Sequence, residues 1–209
     1  MSTRDIPSPG AAACIVAVPY DDPRAADLRR VLDADLGARY DGFHGEEPPE
    51  RRLARSRALA VHPDEIVATL LALVGDAPAG HVIVRRLDAD WELKRLIVAA
   101  PFRGRGIARA LVSAAIDAAR TDAARTSAAH ADAARTSPAR TSPARTDPAR
   151  TADVSTAMPD AAGARVILQT GLQQPESIAL YASMGFTRIP VYEPYVETMP
   201  RSVCFALAL

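Results

Sequence analysis

The stretch Glu92–Arg120, ELKRLIVAAPFRGRGIARALVSAAIDAAR, constrains this chain more than any other. A short apolar run (Leu93, Leu96, Ile97, Val98) meets Pro101. An Arg103-Gly104-Arg105-Gly106 turn follows, and then an Ala-rich segment of helical period. Glycines at 104 and 106 carry no Cβ, so a ligand can approach the backbone closely. The first N–H groups of the following helix lack partners within it, and the helix dipole adds positive potential there. The local reading is strand, anion-cradling turn, helix. Ile107, Ala110, Leu111, Ala114, Ala115 and Ala118 recur at helical spacing, which predicts a stripe packed on a sheet. The turn is neither a Walker A loop, which ends in Gly-Lys-Ser/Thr, nor the dinucleotide fingerprint with its third glycine.

The 209 residues suffice for one substantial core. Formal net charge is zero, which argues against nucleic acid or an acidic membrane as partner. No apolar run is long enough to span a bilayer, and the opening MSTRDIPSPG lacks the ordered regions of a signal peptide. The expected location is the cytoplasm. Cys14 and Cys204 stand in apolar, strand-like runs and read as buried free thiols. Together with histidines at 44, 62, 81 and 130 they show no metal-ligand spacing, so no metal is expected. Lys94 is the only lysine in an arginine-rich chain.

Residues 1–12 read as a disordered lead-in and 13–209 as a single domain. Ala13–Val18 is a first strand ended by Pro19. Asp21 or Asp22 caps a helix with Pro23 in its first turn and Leu28, Val31, Leu32 and Leu36 as its buried stripe. A polar loop at 39–47 precedes a helix near Glu50–Ala60. Val67–Val74, Gly80–Arg86 and Trp91–Val98 read as three sequential antiparallel strands. From 120 to 150, Arg or His recurs every five residues, a period of neither helix, strand nor the usual solenoids. Helix can continue to about Ala134, and Pro138 stops it. From Asp117 to Asp153 the only apolar side chains are alanine and proline, too little to offset ordering entropy. Segment 121–163 is therefore expected to be a low-complexity, disordered insertion, with core packing ending near Ala119. Order resumes with a strand at Arg165–Gln169, a helix begun by Pro175 and Glu176 and closed by Gly185, and a strand at Phe186–Ile189. A loop at Pro190–Pro200 and a strand at Ser202–Leu207 complete an α/β chain with a mixed sheet.

Arg103-Gly104-Arg105-Gly106-Ile107-Ala108 resembles the Arg/Gln-x-x-Gly-x-Gly/Ala signature of the GNAT superfamily of N-acetyltransferases. ELKRLIV before it and LQTGLQQPESIALYASMGF at 168–186 resemble the flanking cofactor motifs. The resemblance implies a mixed, mostly antiparallel sheet flanked by helices, with a splay between strands four and five, here Trp91–Val98 and Arg165–Gln169. It implies acetyl-CoA as co-substrate in that splay. The pantetheine arm would bond to the backbone of Leu96, Ile97 and Val98. The pyrophosphate would sit on N–H groups of Arg103, Gly104, Arg105, Gly106, Ile107 and Ala108.

The implied reaction is direct attack on the thioester, in a ternary complex, by a primary amine of a small molecule or peptide. The amine must be neutral, which calls for a base. Glu92 is the candidate, directly or through a water; otherwise it is a strand-end carboxylate paired with Lys94 or Arg95. Tyr181, in the Leu-Tyr-x-x-x-Gly-Phe segment, is the implied proton donor to the leaving thiolate, or else packs its ring on the sheet. Tyr40, His44, Tyr192 and Tyr195 are expected to line the acceptor site. Homodimers occur in the family, and no residue here demonstrates one. The alternative function is a non-catalytic acyl-CoA-binding or regulatory module on the same fold, and a third reading makes the Arg-rich repeat a partner-binding segment.

Overall fold

The computed structural model describes residues 12–42, 48–136 and 163–209. Segment 137–162, His44 and nearly all of the expected lead-in lie outside them. Apolar residues on both faces of successive strands build a seven-stranded sheet. Its members are β1 (Cys14–Ala17), β2 (Ile66–Val74), β3 (Ala77–Leu87), β4 (Asp90–Val98), β5 (Arg165–Thr170), β6 (Thr187–Ile189) and β7 (Val203–Ala208). They stand in the order β1-β2-β3-β4-β5-β7-β6. Every neighbouring pair is antiparallel except β4 and β5, which run parallel. Because β5 pairs with β4, the parts of the chain on either side of 137–162 share one sheet. This is the mixed, mostly antiparallel α/β fold that the resemblance implies.

The helices are α1 (Pro23–Arg39), α2 (Pro49–Leu59), α3 (Ile107–Thr136), α4 (Pro175–Ser183) and α5 (Tyr195–Thr198). Asp22 caps α1, its carboxylate accepting the Arg24 N–H at 2.9 Å. Strand alternation sends Leu70, Ala72, Val74, Val82, Val84, Trp91 and Leu93 into the main core with α3 and α4. The opposite face carries Leu71 and Ile97 against Leu28 of α1. Val31, expected in the α1 stripe, is instead half exposed. The α3 stripe is also rotated from the expected one. Ile107, Leu111, Val112, Ala115, Ile116 and Ala119 are buried, whereas Ala110 is exposed. Turning Val112 and Ile116 inward removes more apolar area from water than turning alanines inward.

The contact of α3 with the sheet also runs past Ala119. Ala123 packs on the core, Trp91 Nε1 donates to Asp122 at 2.9 Å, and Arg86 pairs with the same carboxylate at 2.6 Å. The expected insertion boundary at 121 therefore falls inside a helix, anchored by side chains of β3 and β4 that a composition argument overlooks. Cys204 is buried but Cys14 is exposed, because β1 is an edge strand. The loop expected at Pro190–Pro200 contains the short α5, whose Tyr195 is fully buried.

Candidate active site

Strands β4 and β5 are paired only at Trp91–Val166, Glu92–Ile167 and Leu93–Leu168. Beyond these, Gln169 and Thr170 stay with Cys204 and Val203 on β7, and β4 continues alone with β3. The strands part at Lys94. A bulge sits at the same place: Ile83 opposes Lys94 and His81 opposes Ile97, so β4 carries one extra residue. Arg95 takes a φ of 59° there. The bulge reverses the parity of β4. Glu92 and Lys94 face the α1 layer before it, and Ile97 does so after it.

The gap opens into two contiguous cavities that share Leu32, Leu36, Leu96, Gln174 and Ser177. The smaller, about 510 Å³, runs from Leu96, Ile97 and Val98 to Arg103, Gly104, Gly106, Ile107 and Ala108. Gly104 and Gly106 each have φ of 76°, a conformation that glycine adopts freely and other residues resist. A Cβ at either would meet open space, so the surface of the turn is bare backbone. The first α3 hydrogen bond runs from Ala110 N–H to the Gly106 carbonyl at 3.1 Å, which leaves the earlier amides at the mouth of the helix. These residues suit a diphosphate bound through main chain. Arg103 is committed elsewhere: its Nε donates to the Val98 carbonyl at 3.0 Å and its Nη2 to Asp35 at 2.9 Å. Arg105 is absent from the cavity wall; its guanidinium lies 5.4 Å from the Phe102 ring centroid.

The larger cavity, about 1250 Å³, is walled by α1, α2, the β4 bulge, the β5 end and α4. Tyr181 lines it from α4. Its ring stands edge-on to Phe186 at 5.7 Å, and among the described residues its hydroxyl has no hydrogen-bond partner. Burial raises its pKa above the usual phenol range, so the hydroxyl keeps its proton at neutral pH. Tyr40 also lines the cavity, from the C-terminal end of α1, and its hydroxyl accepts the Gln173 N–H at 3.3 Å. Arg39 bonds Glu176 at 2.5 Å, so the end of α1 reaches across the splay to α4. Among the described residues, Thr170 Oγ1 is buried in the same wall without a partner.

Three expected site residues sit elsewhere. Glu92 is fully buried and is absent from the cavity walls. Arg85 Nε donates to its Oε2 at 2.7 Å, and the hydroxyls of Tyr195 and Tyr192 donate to its Oε1 at 2.6 and 3.0 Å. Arg85 is held in turn by Glu65 at 2.9 Å. Both carboxylate oxygens of Glu92 are thus engaged by Arg85, Tyr192 and Tyr195, and none of them lines either cavity. The ion pair expected with Lys94 or Arg95 is made instead with Arg85, one strand away. Tyr192 and Tyr195 lie behind the cavity wall as donors to Glu92. The residue that sequence reasoning missed is Lys94, which lines the larger cavity at the point where the strands part. Its one available signal was to be the sole lysine among many arginines.

A parallel step in an otherwise antiparallel sheet thus parts beside a glycine turn at a helix N-terminus. The sequence profile of the acetyltransferase (GNAT) family matches residues 28–140, more than half of the chain. The chain belongs to that family, whose general activity is acetyl-CoA-dependent acyl transfer. Solved structures share the fold. One is a Klebsiella pneumoniae protein provisionally named an acyl-CoA N-acyltransferase, with TM-score 0.59 and 17% identity, covering 96% of this chain and 99% of its own. A Bacillus subtilis acetyltransferase in complex with CoA aligns with TM-score 0.54 and 14% identity, covering 95% and 99%. A GNAT family acetyltransferase from Elizabethkingia anophelis with acetyl-CoA bound aligns with TM-score 0.53 and 13% identity, covering 94% and 98%. No curated protein matches the chain in sequence. Among the described residues no group of three or more His, Cys, Asp or Glu is placed to hold a metal ion, and no helix is long and apolar enough to cross a membrane.

Proposed function

We propose that the chain transfers the acetyl group of acetyl-CoA to a primary amine of a small molecule or peptide by direct attack in a ternary complex. One observation carries the reading: two cavities meet at the β4–β5 splay, one ending on bare backbone at a helix N-terminus and the other holding a protonated phenol. The smaller cavity takes the diphosphate and pantetheine, the main chain of Leu96 and Ile97 serving as an edge for the arm. The larger takes the amine. The structures with CoA and acetyl-CoA bound support acetyl-CoA as the donor.

Bound there, acetyl-CoA supplies the thioester. Arg39–Glu176 and Tyr40 tie the end of α1 to α4 and the loop before it across the splay. Tyr181 Oη holds a proton for the leaving sulfur, and a neutral phenol on an apolar wall suits that task. A thiol-release screen of primary amines with acetyl-CoA tests the reading. Turnover with at least one amine is expected, and Tyr181→Phe is expected to lower kcat by about 100-fold with acetyl-CoA affinity near normal. Tight acetyl-CoA binding without transfer to any amine would favour the non-catalytic acyl-CoA-binding module instead.

A further inference from the structure

Glu92 is engaged by Arg85, Tyr192 and Tyr195 and lies off the cavity walls, whereas Lys94 lines the larger cavity at the point where the strands part. We propose that Lys94 is the proton acceptor for the incoming amine and that Tyr195 is its positioning residue. The inference rests on the acetyl-transfer reading above. Lys94 is the first β4 residue past the last β4–β5 pair, and it lines the larger cavity although only 7% exposed. Its Nζ donates to Tyr195 Oη at 2.5 Å, and that hydroxyl donates to Glu92 Oε1 at 2.6 Å. Burial, and then the Glu92 charge, hold the Tyr195 phenol far above its ordinary range, so it stays neutral. The lysine is thereby fixed at the splay by a neutral partner. Among the described residues it makes no ion pair.

The residue type points the same way. Lysine and arginine together number 25 in this chain, and Lys94 alone is lysine. Arginine keeps its proton in proteins, so it can supply charge but cannot accept a proton. At the parting of the strands the chain carries a lysine directly before Arg95, and of the two only the lysine can give up its proton. Burial brings the Lys94 ammonium down to about 8; Glu92 opposes this, Arg85 and Arg95 push further down, and Glu65 opposes them. Tyr195 and, behind it, Tyr192 stand beside it, and Asp33, Asp41, Arg51, Arg52, Arg55 and Arg201 are the other charged groups lining the same cavity with Tyr181 and Arg95.

The protons balance. Neutral Lys94 takes one proton from the acceptor ammonium. The freed nitrogen lone pair bonds the thioester carbon. The C–S bond breaks with its electron pair on sulfur, and sulfur takes the Tyr181 proton. The excess proton on the new amide nitrogen returns to Tyr181 through cavity water, and the Lys94 ammonium releases its proton to solvent.

The test uses Lys94→Arg and Lys94→Met in the full chain. The probes are acetyl-CoA and a panel of primary amines, from amino acid amides to polyamines, read by thiol release across neutral and alkaline pH. The wild-type kcat/KM is expected to rise with pH to a plateau, with a midpoint of about 8. Lys94→Arg keeps the charge and cannot deprotonate. It is expected to lose roughly 100-fold in kcat/KM together with that limb, at unchanged calorimetric affinity for acetyl-CoA. Tyr195→Phe is expected to move the midpoint, which a merely structural role would not do. A single ε-13C-lysine signal allows the titration to be read directly by NMR. A Lys94→Arg variant with wild-type turnover and limb overturns the proposal, as does an NMR titration at the ordinary ~10.4. Lost turnover with an unmoved limb marks a structural lysine and overturns it too. Thiol release with no amine at all, despite intact acetyl-CoA binding, refutes the transfer reading and the role of Lys94 with it.

Discussion

Gly80 is the point at which the packing of α3 and the cofactor edge of β4 depend on one missing methyl group. It pairs with Ala72 of β2 and Val98 of β4. A Cβ built there would stand 2.8 Å from the Ile97 carbonyl oxygen, 2.9 Å from Leu111 Cδ1 and 3.3 Å from Ile107 Cγ2. Leu111 can yield by a change of rotamer. The Ile97 oxygen is main chain and yields only if β4 moves by several tenths of an ångström. Overpacking of this kind costs about 1–3 kcal/mol. Removing glycine's extra backbone freedom returns roughly 0.5–1 kcal/mol. Two contacts under 3 Å, one of them to backbone, place the cost at the upper end, so Gly80→Ala is expected to lose about 2 kcal/mol. For a domain of this size that lowers Tm by about 4–8 °C. Thermal unfolding followed by circular dichroism reads the first effect. Calorimetric titration with acetyl-CoA reads the second, a weaker affinity from the displaced Ile97 backbone. Adding Leu111→Val is expected to recover part of the stability and none of the affinity. Wild-type Tm and affinity in Gly80→Ala would show that α3 and β4 do not close on Gly80 as described.

Glu92→Gln leaves Arg85 buried with Glu65 as its remaining carboxylate, and breaking such a pair costs roughly 3 kcal/mol. Urea unfolding is expected to show that loss with acetyl-CoA affinity retained; an unchanged midpoint would contradict the buried network. His81 is fully buried, with Nδ1 3.0 Å from the Leu70 carbonyl and Nε2 3.3 Å from Arg29, and burial lowers its pKa to about 4. The folded state therefore binds its proton less readily than the unfolded chain. The stability contributed by the neutral ring is complete above about pH 6.5 and is lost as pH falls toward 4, an effect of up to about 3 kcal/mol. Denaturant midpoints across that window are expected to flatten in His81→Gln, and an identical slope in both proteins would refute the assignment.

The order of elements was legible because their signals are local. Pro23, Pro175 and Gly185 mark helix ends wherever the chain folds, and Gly104 and Gly106 declare a turn that α3 then completes. What the sequence withheld depends on parity and partners. The bulge at Arg95 decides which β4 residues reach the cavity, and nothing in Glu-Leu-Lys-Arg-Leu-Ile-Val announces it. Glu92 reads as an available carboxylate until Arg85, seven residues earlier, is brought against it by the β3–β4 hairpin. Tyr192 and Tyr195 read as loop residues, yet Tyr195 begins a short helix that turns both hydroxyls inward. The length of α3 was legible, since its Pro-free units allow helix to about Ala134, but its packing past Ala119 was not, because alanine composition describes burial poorly. It is Trp91 and Arg86, distant in sequence, that hold Asp122.

On the proposed function, the splay and the glycine turn together bind acetyl-CoA through main chain. Hydrogen exchange of the backbone amides with and without acetyl-CoA tests this most directly. Protection is expected in two separate stretches, Leu96–Val98 on β4 and Gly104–Arg109 at the head of α3, with little change on β1 and β2. Protection confined to other elements, or no protection at saturating acetyl-CoA, would contradict the account.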